Sequence, residues 1–201
     1  MEQRHLGAAG LTVSRLALGT MTWGRDTDEH EARDQLTHFC EAGGTLVDTA
    51  DVYVDGAAER ILGTLVGDVV PRQDVVIATK AASRPGTDRR FDASRGYLLS
   101  SLDASLRRLD TDYVDIFHLH GLSPKVYDHA MTEVVPALLR EKEKGKFRHL
   151  AVSETAPRDP GHAMLERAVE EPAWAVFMLA FHMMNQNARN HLLKRTQANG
   201  V

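Results

Sequence analysis

Residues 45–80 read TLVDTADVYVDGAAERILGTLVGDVVPRQDVVIATK and decide the fold class. The apolar run TLVDT begins at Thr45, the run VVIAT begins at Val75, and a helical pattern over Ala57–Leu65 lies between them. Neither run alternates cleanly between apolar and polar residues, which is typical of strands buried on both faces of a parallel sheet. This stretch therefore predicts one strand–helix–strand unit.

The same alternation extends to both sides of this unit. Further apolar runs begin at Leu16, Tyr113, His149 and Ala175, spaced by roughly thirty residues, the size of one such unit. The remaining helical patterns cover Glu29–Glu41, Ala93–Arg108, Ala130–Lys144, Ala163–Glu170 and Ala188–Gln197. Because the composition does not change between units, we expect a single domain over residues 1–201.

Two α/β architectures fit this alternation, a doubly wound open sheet and a (β/α)8 TIM barrel. No G-x-G-x-x-G turn follows the first run, which argues against an open sheet that binds a dinucleotide. Upstream, the segments Arg4–Leu6 and Thr12–Ser14 flank Ala8-Ala9-Gly10 and predict a small hairpin.

Composition narrows the partners and the compartment. The chain has 24 Lys and Arg against 28 Asp and Glu, a net charge of −4, and the basic residues are spread along it. We therefore expect neither a nucleic acid nor a membrane as a partner. The single cysteine, Cys40, excludes an intrachain disulfide and fits a reducing compartment. The longest apolar run, Ala173–Met184, is too short to span a bilayer and is predicted to be a buried strand. With no secretory pattern at the N-terminus, the expected location is cytoplasmic.

Polar residues stand at the carboxyl ends of three consecutive predicted strands, where parallel α/β barrels place their active sites. They are Asp48, Lys80 and His120, and Tyr53 follows on the loop after Asp48. A tyrosine hydroxyl has a pKa near ~10 and is a poor proton donor at neutral pH. A nearby ammonium stabilises the phenolate, a buried carboxylate keeps the ammonium charged, and a histidine can bind the substrate oxygen. The set predicts a general acid beside a carbonyl group, usable with a hydride donor.

Four motifs resemble those of the aldo-keto reductases. They are DTADVY (Asp48–Tyr53) with Glu59 and Gly63 downstream, ATK (Ala78–Lys80), DYVDIFHLH (Asp112–His120) and AVSE (Ala151–Glu154). The resemblance implies a (β/α)8 barrel that binds NAD(P)H without a Rossmann fold, with the early hairpin plugging the bottom of the barrel. It also implies an enzyme that reduces an aldehyde or ketone to an alcohol.

The resemblance implies roles for single residues. Tyr53 matches the proton donor, Asp48 and Lys80 the ionic pair behind it, and His120 the residue that orients the carbonyl. Residues expected beside the cofactor are Gly19, Thr20, Met21, Asp48, Ser153 and Glu154. Trp23, with Tyr53 and His120, is expected to line the substrate pocket, although plain packing explains Trp23 and Met21 equally well. NADPH is the expected cofactor, with NADH not excluded, and a small carbonyl compound is the expected substrate.

The sequence departs from the family pattern at three positions. Glu154 stands where many members have Asn, and Met178 where many have a Gln that contacts the nicotinamide carboxamide. Val54 follows Tyr53 where Gly is common, so the loop after the second strand of the barrel is expected to differ in shape. Arg84, Arg89 and Arg90 could attract an acidic substrate, but a solvated charge cluster is the favoured interpretation.

Two alternatives are left open. His118 and His120 share one face of a strand, so with Asp48 and His182 they could bind a metal in a barrel hydrolase, which would leave Lys80 and Tyr53 unexplained. The chain could also be a non-catalytic nucleotide-binding remnant. The favoured expectation is a reductase with no metal.

The number of units predicts an incomplete barrel. Six βα units fit into the 201 residues, whereas a closed barrel of this kind has eight. We therefore expect the last two units, on the order of sixty residues, to be absent, leaving two unpaired sheet edges. Such a chain on its own is expected to be marginally stable and to bind NADPH poorly.

Overall fold

A parallel sheet of six strands forms the centre of the computed structural model, which describes residues 1–82, 91–156 and 158–201. The sheet follows the chain order, β3-β4-β5-β6-β7-β8, and curls into an incomplete barrel. Its strands are β3 (Ala17–Gly19), β4 (Leu46–Asp48), β5 (Val76–Ala81), β6 (Val114–Leu122), β7 (Phe147–Glu154) and β8 (Val176–Met178). A separate antiparallel hairpin, β1 (Gln3–Leu6) with β2 (Leu11–Ser14), precedes it as predicted.

Helices connect the strands on the outer face of the sheet. They are α1 (Glu29–Glu41), α2 (Ala57–Leu65), α3 (Arg95–Arg108), α4 (Tyr127–His129), α5 (Val135–Glu143), α6 (Ala163–Ala168) and α7 (Leu192–Asn199). A π-helical turn, Ala130–Val134, joins α4 to α5, so the fourth predicted helix is not one regular element. Short 3-10 turns cover Tyr53–Gly56, Arg72–Asp74 and Asn187–Arg189.

Helix α1 shows why its predicted bounds are confirmed. The Asp28 carboxylate accepts a hydrogen bond from the Glu31 backbone N–H at 2.9 Å, and the Glu31 carboxylate accepts one from the Asp28 N–H at 3.3 Å. This reciprocal cap satisfies two backbone donors at the start of the helix. Leu36 is fully buried against the sheet, which contributes about 2 kcal/mol. The chain leaves the helix through Gly43, whose φ of 79° suits a residue without a Cβ atom.

The two faces of the sheet bury different cores. Residues such as Val47, Ile77 and Phe117 pack against the helices in the large outer core. On the inner face, four residues of neighbouring strands, Ala78, Ile116, Ala151 and Val176, form a smaller cluster that Leu6 and Leu11 of the hairpin cover. The hairpin thus closes the amino end of the sheet, which confirms its predicted place at the bottom of the barrel.

Polar contacts fix the hairpin in that place. The Ser14 hydroxyl oxygen accepts the N–H groups of Thr45 and Leu46 at 2.9 and 3.2 Å, next to the start of β4. On the other side, the N–H of Ala8 donates to the carbonyl of Gly200 at 2.7 Å. The hairpin therefore contacts both the start of β4 and the residue that follows α7.

The last strand differs from its prediction. The apolar run that begins at Ala175 predicts a strand through Phe181, and the longer run a buried strand as far as Met184, but only Val176–Met178 is extended. Beyond it the chain turns at His182–Asn185, and Met183 and Met184 are each 91% exposed. The physical reason is that β8 is an edge strand, which pairs with β7 on one side, so hydrophobicity alone does not keep the run extended. Among the described residues, no helix has the length and apolar character needed to cross a membrane.

Candidate functional site

Lys80 is the centre of a polar cluster at the carboxyl end of β4 and β5. Its ammonium donates to the Asp48 carboxylate at 2.7 Å, to the Thr49 carbonyl at 2.8 Å and to the Tyr53 hydroxyl oxygen at 3.2 Å. The lysine is only 1% exposed, so these three acceptors replace the water that its three N–H donors would otherwise bind. The structure therefore brings three of the four predicted catalytic residues into direct contact.

Burial and the neighbouring charge act in opposite directions on the Asp48 carboxylate of this ion pair. Desolvation raises the pKa of the Asp48 carboxyl above its ordinary value, and the neighbouring Lys80 ammonium acts in the opposite direction. One carboxylate oxygen, Oδ2, binds Lys80, whereas the buried Oδ1 has no partner within the described residues. Asp48 is thus not a helix cap, the simple explanation for an Asp at a strand end. It is the counter-ion of the lysine.

An unusual turn returns Tyr53 to the cluster. Val54 and Asp55 both have left-handed backbone conformations, with φ of 48° and 51°, which is rare for a β-branched residue such as Val54. Upstream, the Asp51 N–H donates to the Lys80 carbonyl at 3.0 Å and anchors the loop to β5. Val54 thus adopts a backbone conformation that glycine takes readily, so the loop shape expected to differ because of Val54 stays a prediction. The backbone strain of the turn is held by these surrounding contacts.

His120 reaches the cluster from β6 through a β-bulge. The pairing of β6 with β7 shifts between Leu119 and Leu122, and Gly121 in this bulge has a φ of 72°. The bulge places the His120 ring 6.3 Å from the Tyr53 ring, edge to face at 86°. Burial, and then the charge of Lys80, lower the pKa of His120 to about 4. The imidazole is therefore neutral near pH 7.

His118 lies two residues before His120 on β6 and is paired with Lys80 of β5 in the sheet register. It is 2% exposed, and burial first, then the charges of Lys80 and His120, lower its pKa well below the ordinary value. His182, the further ligand of the metal hypothesis, lies in the exposed turn after β8, where its Nδ1 accepts the Met184 N–H. Across residues 1–82, 91–156 and 158–201, no group of three or more candidate ligands could hold a metal ion. The hydrolase alternative is not favoured.

Glu59 and Gly63, which belong to the first motif, have structural positions. The Glu59 carboxylate is fully buried, accepts the Thr79 hydroxyl at 2.6 Å and pairs with Arg108 at 2.6 Å, so it joins α2 to β5 and α3. A Cβ atom at Gly63 would lie 2.6 Å from the Arg108 carbonyl oxygen, so only glycine allows this approach of the two helices. Burial, and then the charge of Glu59, raise the pKa of Asp51 to about 7.

A cleft of about 540 Å³ opens at the carboxyl ends of β6, β7 and β8, beside His120. Its walls combine polar groups with apolar ones, among them Ser153, Thr155, Met178 and Leu179. The Ser153 hydroxyl oxygen accepts the Gly121 N–H at 2.8 Å, which leaves the Ser153 O–H as a donor. Ser153 does not cap the next helix, because the Asp159 carboxylate binds the first N–H groups of α6.

Glu154 also borders the cleft, but its carboxylate is engaged within the protein. Oε2 lies 2.7 Å from His162 Nδ1, and Oε1 accepts the Ala180 N–H at 2.7 Å. No signal in the sequence links these three residues, because Glu154 ends β7 while His162 and Ala180 lie in two different segments that follow it. The cofactor contact predicted for Glu154 stays a prediction.

The residues after β3 divide into two groups. Gly19 and Met21 are exposed at the strand end, while Thr20 is buried and donates its hydroxyl to the Asp48 carbonyl at 3.2 Å. Trp23 is 0% exposed and its indole N–H donates to Gln35 at 2.8 Å, so the expected pocket role is corrected to a core role. The large indole side chain finds both its apolar contacts and its hydrogen-bond acceptor against α1. Arg84, Arg89 and Arg90 lie outside the described residues.

Comparison with known proteins agrees with this geometry. The family model "Aldo/keto reductase family" matches residues 15–201. The chain is 33% identical over 159 residues to Aldo-keto reductase YhdN of Bacillus subtilis, covering 76% of this chain and 47% of the relative. It is 30% identical over 205 residues to L-galactose dehydrogenase of Arabidopsis thaliana, covering 100% of this chain and 63% of the relative.

A solved structure shows the same fold. Aldo-keto reductase AKR11C1 from Bacillus halodurans, in its holo form, superposes with a TM-score of 0.84 at 30% identity. The match covers 100% of this chain and 64% of that structure. The chain spans about half the length of the first two curated relatives it matches. With a family match over nearly all of its residues and the cluster around Lys80 in place, the chain belongs to the aldo/keto reductase family.

Proposed function

We propose that this protein reduces a small aldehyde or ketone to an alcohol with hydride from NAD(P)H, and that Tyr53 donates the proton. The observation that carries the proposal is the position of the Lys80 ammonium, 2.7 Å from the Asp48 carboxylate and 3.2 Å from the Tyr53 hydroxyl oxygen. A buried cation beside a phenol stabilises the negative charge that develops when the phenol gives up its proton.

The residues divide the work as follows. The substrate carbonyl oxygen lies between Tyr53 and the neutral His120, and both rings can donate a hydrogen bond to it. The nicotinamide, when bound, supplies the hydride to the carbonyl carbon. Tyr53 then transfers its hydroxyl proton to the oxygen, and Lys80 stabilises the phenolate that remains. Asp48 keeps Lys80 charged and fixes its direction.

The residues around the cleft fit a nicotinamide cofactor. The Ser153 hydroxyl is free to donate toward the cleft, and the exposed Met178 side chain offers an apolar surface beside it. Gly19 has no atom within 4 Å of the position of a Cβ, so the end of β3 is open to a flat ring. We propose Ser153, Gly19 and Met21 as cofactor contacts, NADPH as the cofactor and the cytoplasm as the location.

The direct test is aldehyde-dependent oxidation of NADPH. The longest form of the protein that its gene encodes should oxidise NADPH in the presence of 4-nitrobenzaldehyde and remain active in a strong chelator. NADH tested in parallel gives the cofactor preference. Binding of NADPH without turnover would indicate a nucleotide-binding protein instead, and activity that chelation abolishes and zinc restores would favour the hydrolase reading of His118 and His120.

A further inference from the structure

A buried carboxylate holds two loops together at the back of the cleft. Glu154, the last residue of β7, has a side chain that is 2% exposed, and its two oxygens bind different partners. His162, 1% exposed, donates from Nδ1 at 2.7 Å, and the backbone N–H of Ala180 donates at 2.7 Å. One carboxylate thus joins β7, the segment before α6 and the segment after β8.

The backbone around His162 is held in an unfavourable conformation. His162 has a φ of 59°, in the left-handed region that non-glycine residues seldom adopt. The Asp159 carbonyl accepts the His162 N–H at 3.0 Å, and the Asp159 carboxylate accepts the N–H groups of Ala163 and Met164, each at 2.9 Å. These bonds over-determine the turn, and they point the imidazole at Glu154.

The chemistry of the pair fixes the tautomer. A carboxylate can only accept, so Nδ1 carries the proton that lies between Glu154 and His162. The other ring nitrogen, Nε2, is buried and has no partner within the described residues. The bond to Glu154 is therefore what orients the ring, and bonds to a charged acceptor are stronger than neutral ones.

The contact with Ala180 connects this pair to the cleft. Ala180 and the preceding Leu179 line the cleft beside Ser153, whereas β8 itself ends at Met178. Strand pairing does not hold the residues that follow the end of β8. The hydrogen bond from the Ala180 N–H to the Glu154 carboxylate holds this segment instead. Leu179 also packs against the outer core, so the Glu154 carboxylate adds a polar anchor, at Ala180, to this part of the cleft wall.

We propose that Glu154 and His162 are positioning residues that fix the Leu179–Ala180 wall of the cleft and, through it, the seat of the nicotinamide ring. This inference rests on the proposed function for the identity of the ring, and it gives Glu154 a role that needs no direct contact with the cofactor. His162 acts through Glu154, and Glu154 acts through the Ala180 N–H.

The test measures hydrogen exchange of the Ala180 amide, a readout that needs no turnover. Glu154→Ala removes both acceptors, so Ala180 should exchange roughly ten- to a hundredfold faster, as expected for one lost bond to a charged acceptor. The NADPH Kd, followed by fluorescence quenching, should weaken about tenfold, while kcat at saturating NADPH changes less than about threefold. Glu154→Gln keeps an acceptor for Ala180 and should restore exchange to within about threefold of the unsubstituted protein.

A matched control exists at the other end of the sheet. Asp115 is also a buried carboxylate that accepts a backbone N–H, that of Ile77 at 2.9 Å, and pairs with cations, Arg72 and Arg148. Asp115→Ala removes this acceptor and should speed exchange at Ile77 but leave Ala180 exchange and the NADPH Kd unchanged.

A second variant covers the case in which Glu154→Ala does not fold. His162→Phe keeps a ring of similar size and removes the donor, so the carboxylate should shift toward water and Ala180 should exchange at least about threefold faster. Unchanged Ala180 exchange in the folded variants of Glu154 and His162, or an equal effect of Asp115→Ala on Ala180 exchange, would overturn the proposal. The expected exchange pattern with no NADPH binding in the unsubstituted protein would instead overturn the proposed function and support the fixing of the wall.

Discussion

Each end of the sheet holds an aspartate in an ion pair, but the two aspartates differ in how many of their carboxylate oxygens have a bonding partner. At the amino end, both oxygens of the buried Asp115 are bound, one by Arg148 and the other by Arg72 and the Ile77 N–H. At the carboxyl end, Asp48 has one oxygen bound by Lys80 and one, Oδ1, without a partner in the described chain. The carboxylate at the amino end is fully bonded within the protein, whereas the carboxyl end keeps polar atoms that a ligand can bind.

The difference extends to the residues around each carboxylate. Beside Asp48, the Nδ1 atoms of His118 and His120 are also buried without a partner among the residues described. Also at the amino end, the hairpin residue Ser14 uses its hydroxyl oxygen to accept two backbone N–H groups at the start of β4. Perturbed and incompletely bonded groups gather where chemistry takes place, while the opposite end supplies stability.

Of the substitutions that test this difference between the two ends, the largest effect is expected on catalysis, from a change at the carboxyl end. Tyr53→Phe keeps the ring and removes the hydroxyl, so kcat for a test aldehyde should fall about 10²–10⁴-fold, the usual contribution of a positioned general acid. The melting temperature and NADPH affinity should change little. Asp115→Asn is the opposite-end control, and it should lower stability while leaving kcat of the folded enzyme intact. A Tyr53→Phe enzyme with undiminished turnover would refute the assignment of the proton donor.

Removing one cationic side chain from each end of the sheet compares the stability that the two ion-pair clusters contribute. Lys80→Met removes the ion-pair partner of Asp48, which should cost about 2–3 kcal/mol of unfolding free energy, below the fully buried range because Asp48 is 19% exposed. Arg72→Met should cost only about 1 kcal/mol, because Asp115 keeps Arg148 and the Ile77 N–H. Urea denaturation at pH 7 measures both. Equal losses of unfolding free energy in the two variants would contradict the difference in bonding between Asp48 and Asp115.

The pH dependence of stability sharpens the comparison at Asp51, next to the cluster. Its pKa is raised to about 7, so its contribution to stability is fully present below the unfolded value and is lost as the pH rises through about 7. Asp51→Asn cannot ionise, and it should therefore gain about 2 kcal/mol relative to the unsubstituted protein between pH 5 and pH 8. Denaturant unfolding at the two pH values gives this difference. A constant offset between the proteins would contradict the raised pKa.

The smallest expected effect concerns His118 and has the opposite pH sign. Because burial lowers its pKa, the folded protein holds it neutral, and the stability present above pH 6.5 is lost as the pH falls. The unfolding free energy of the unsubstituted protein falls between pH 7 and pH 5, and His118→Leu should make this fall smaller by between about 1 and 2 kcal/mol. The control is His5 in the exposed hairpin, where His5→Leu should leave the acid sensitivity as it was. Unchanged acid sensitivity in the His118 variant would argue against a buried neutral ring.

Sequence reasoning succeeded where a periodic pattern dictates geometry. The bounds of α1 and α2 are as predicted, since caps and apolar spacing act locally. Asp48 and Lys80 meet because parallel strands in sequence order bring their carboxyl ends to one edge of the sheet. Tyr53 joins them because its loop is short.

The sequence was less informative where contacts form between distant loops. The burial of Trp23 depends on an acceptor provided by Gln35, which no spacing rule identifies. The His162 bond to Glu154 depends on a left-handed backbone residue that the sequence does not announce. The extended run expected after Met178 fails because β8 lies at an edge, and edges are set by the whole sheet.

The bulge in β6 limits how this family member can change in length. Side chains of a strand alternate between its faces, so inserting or deleting one residue between Ile116 and His120 would turn the imidazole from the inner face to the helices. Beyond Gly121 the register has already been reset, and the chain from Ser123 onward runs in a turn before α4. We therefore expect the fold to tolerate insertions after residue 122 and not just before it, so a longer loop beside the cleft is best grafted after Leu122.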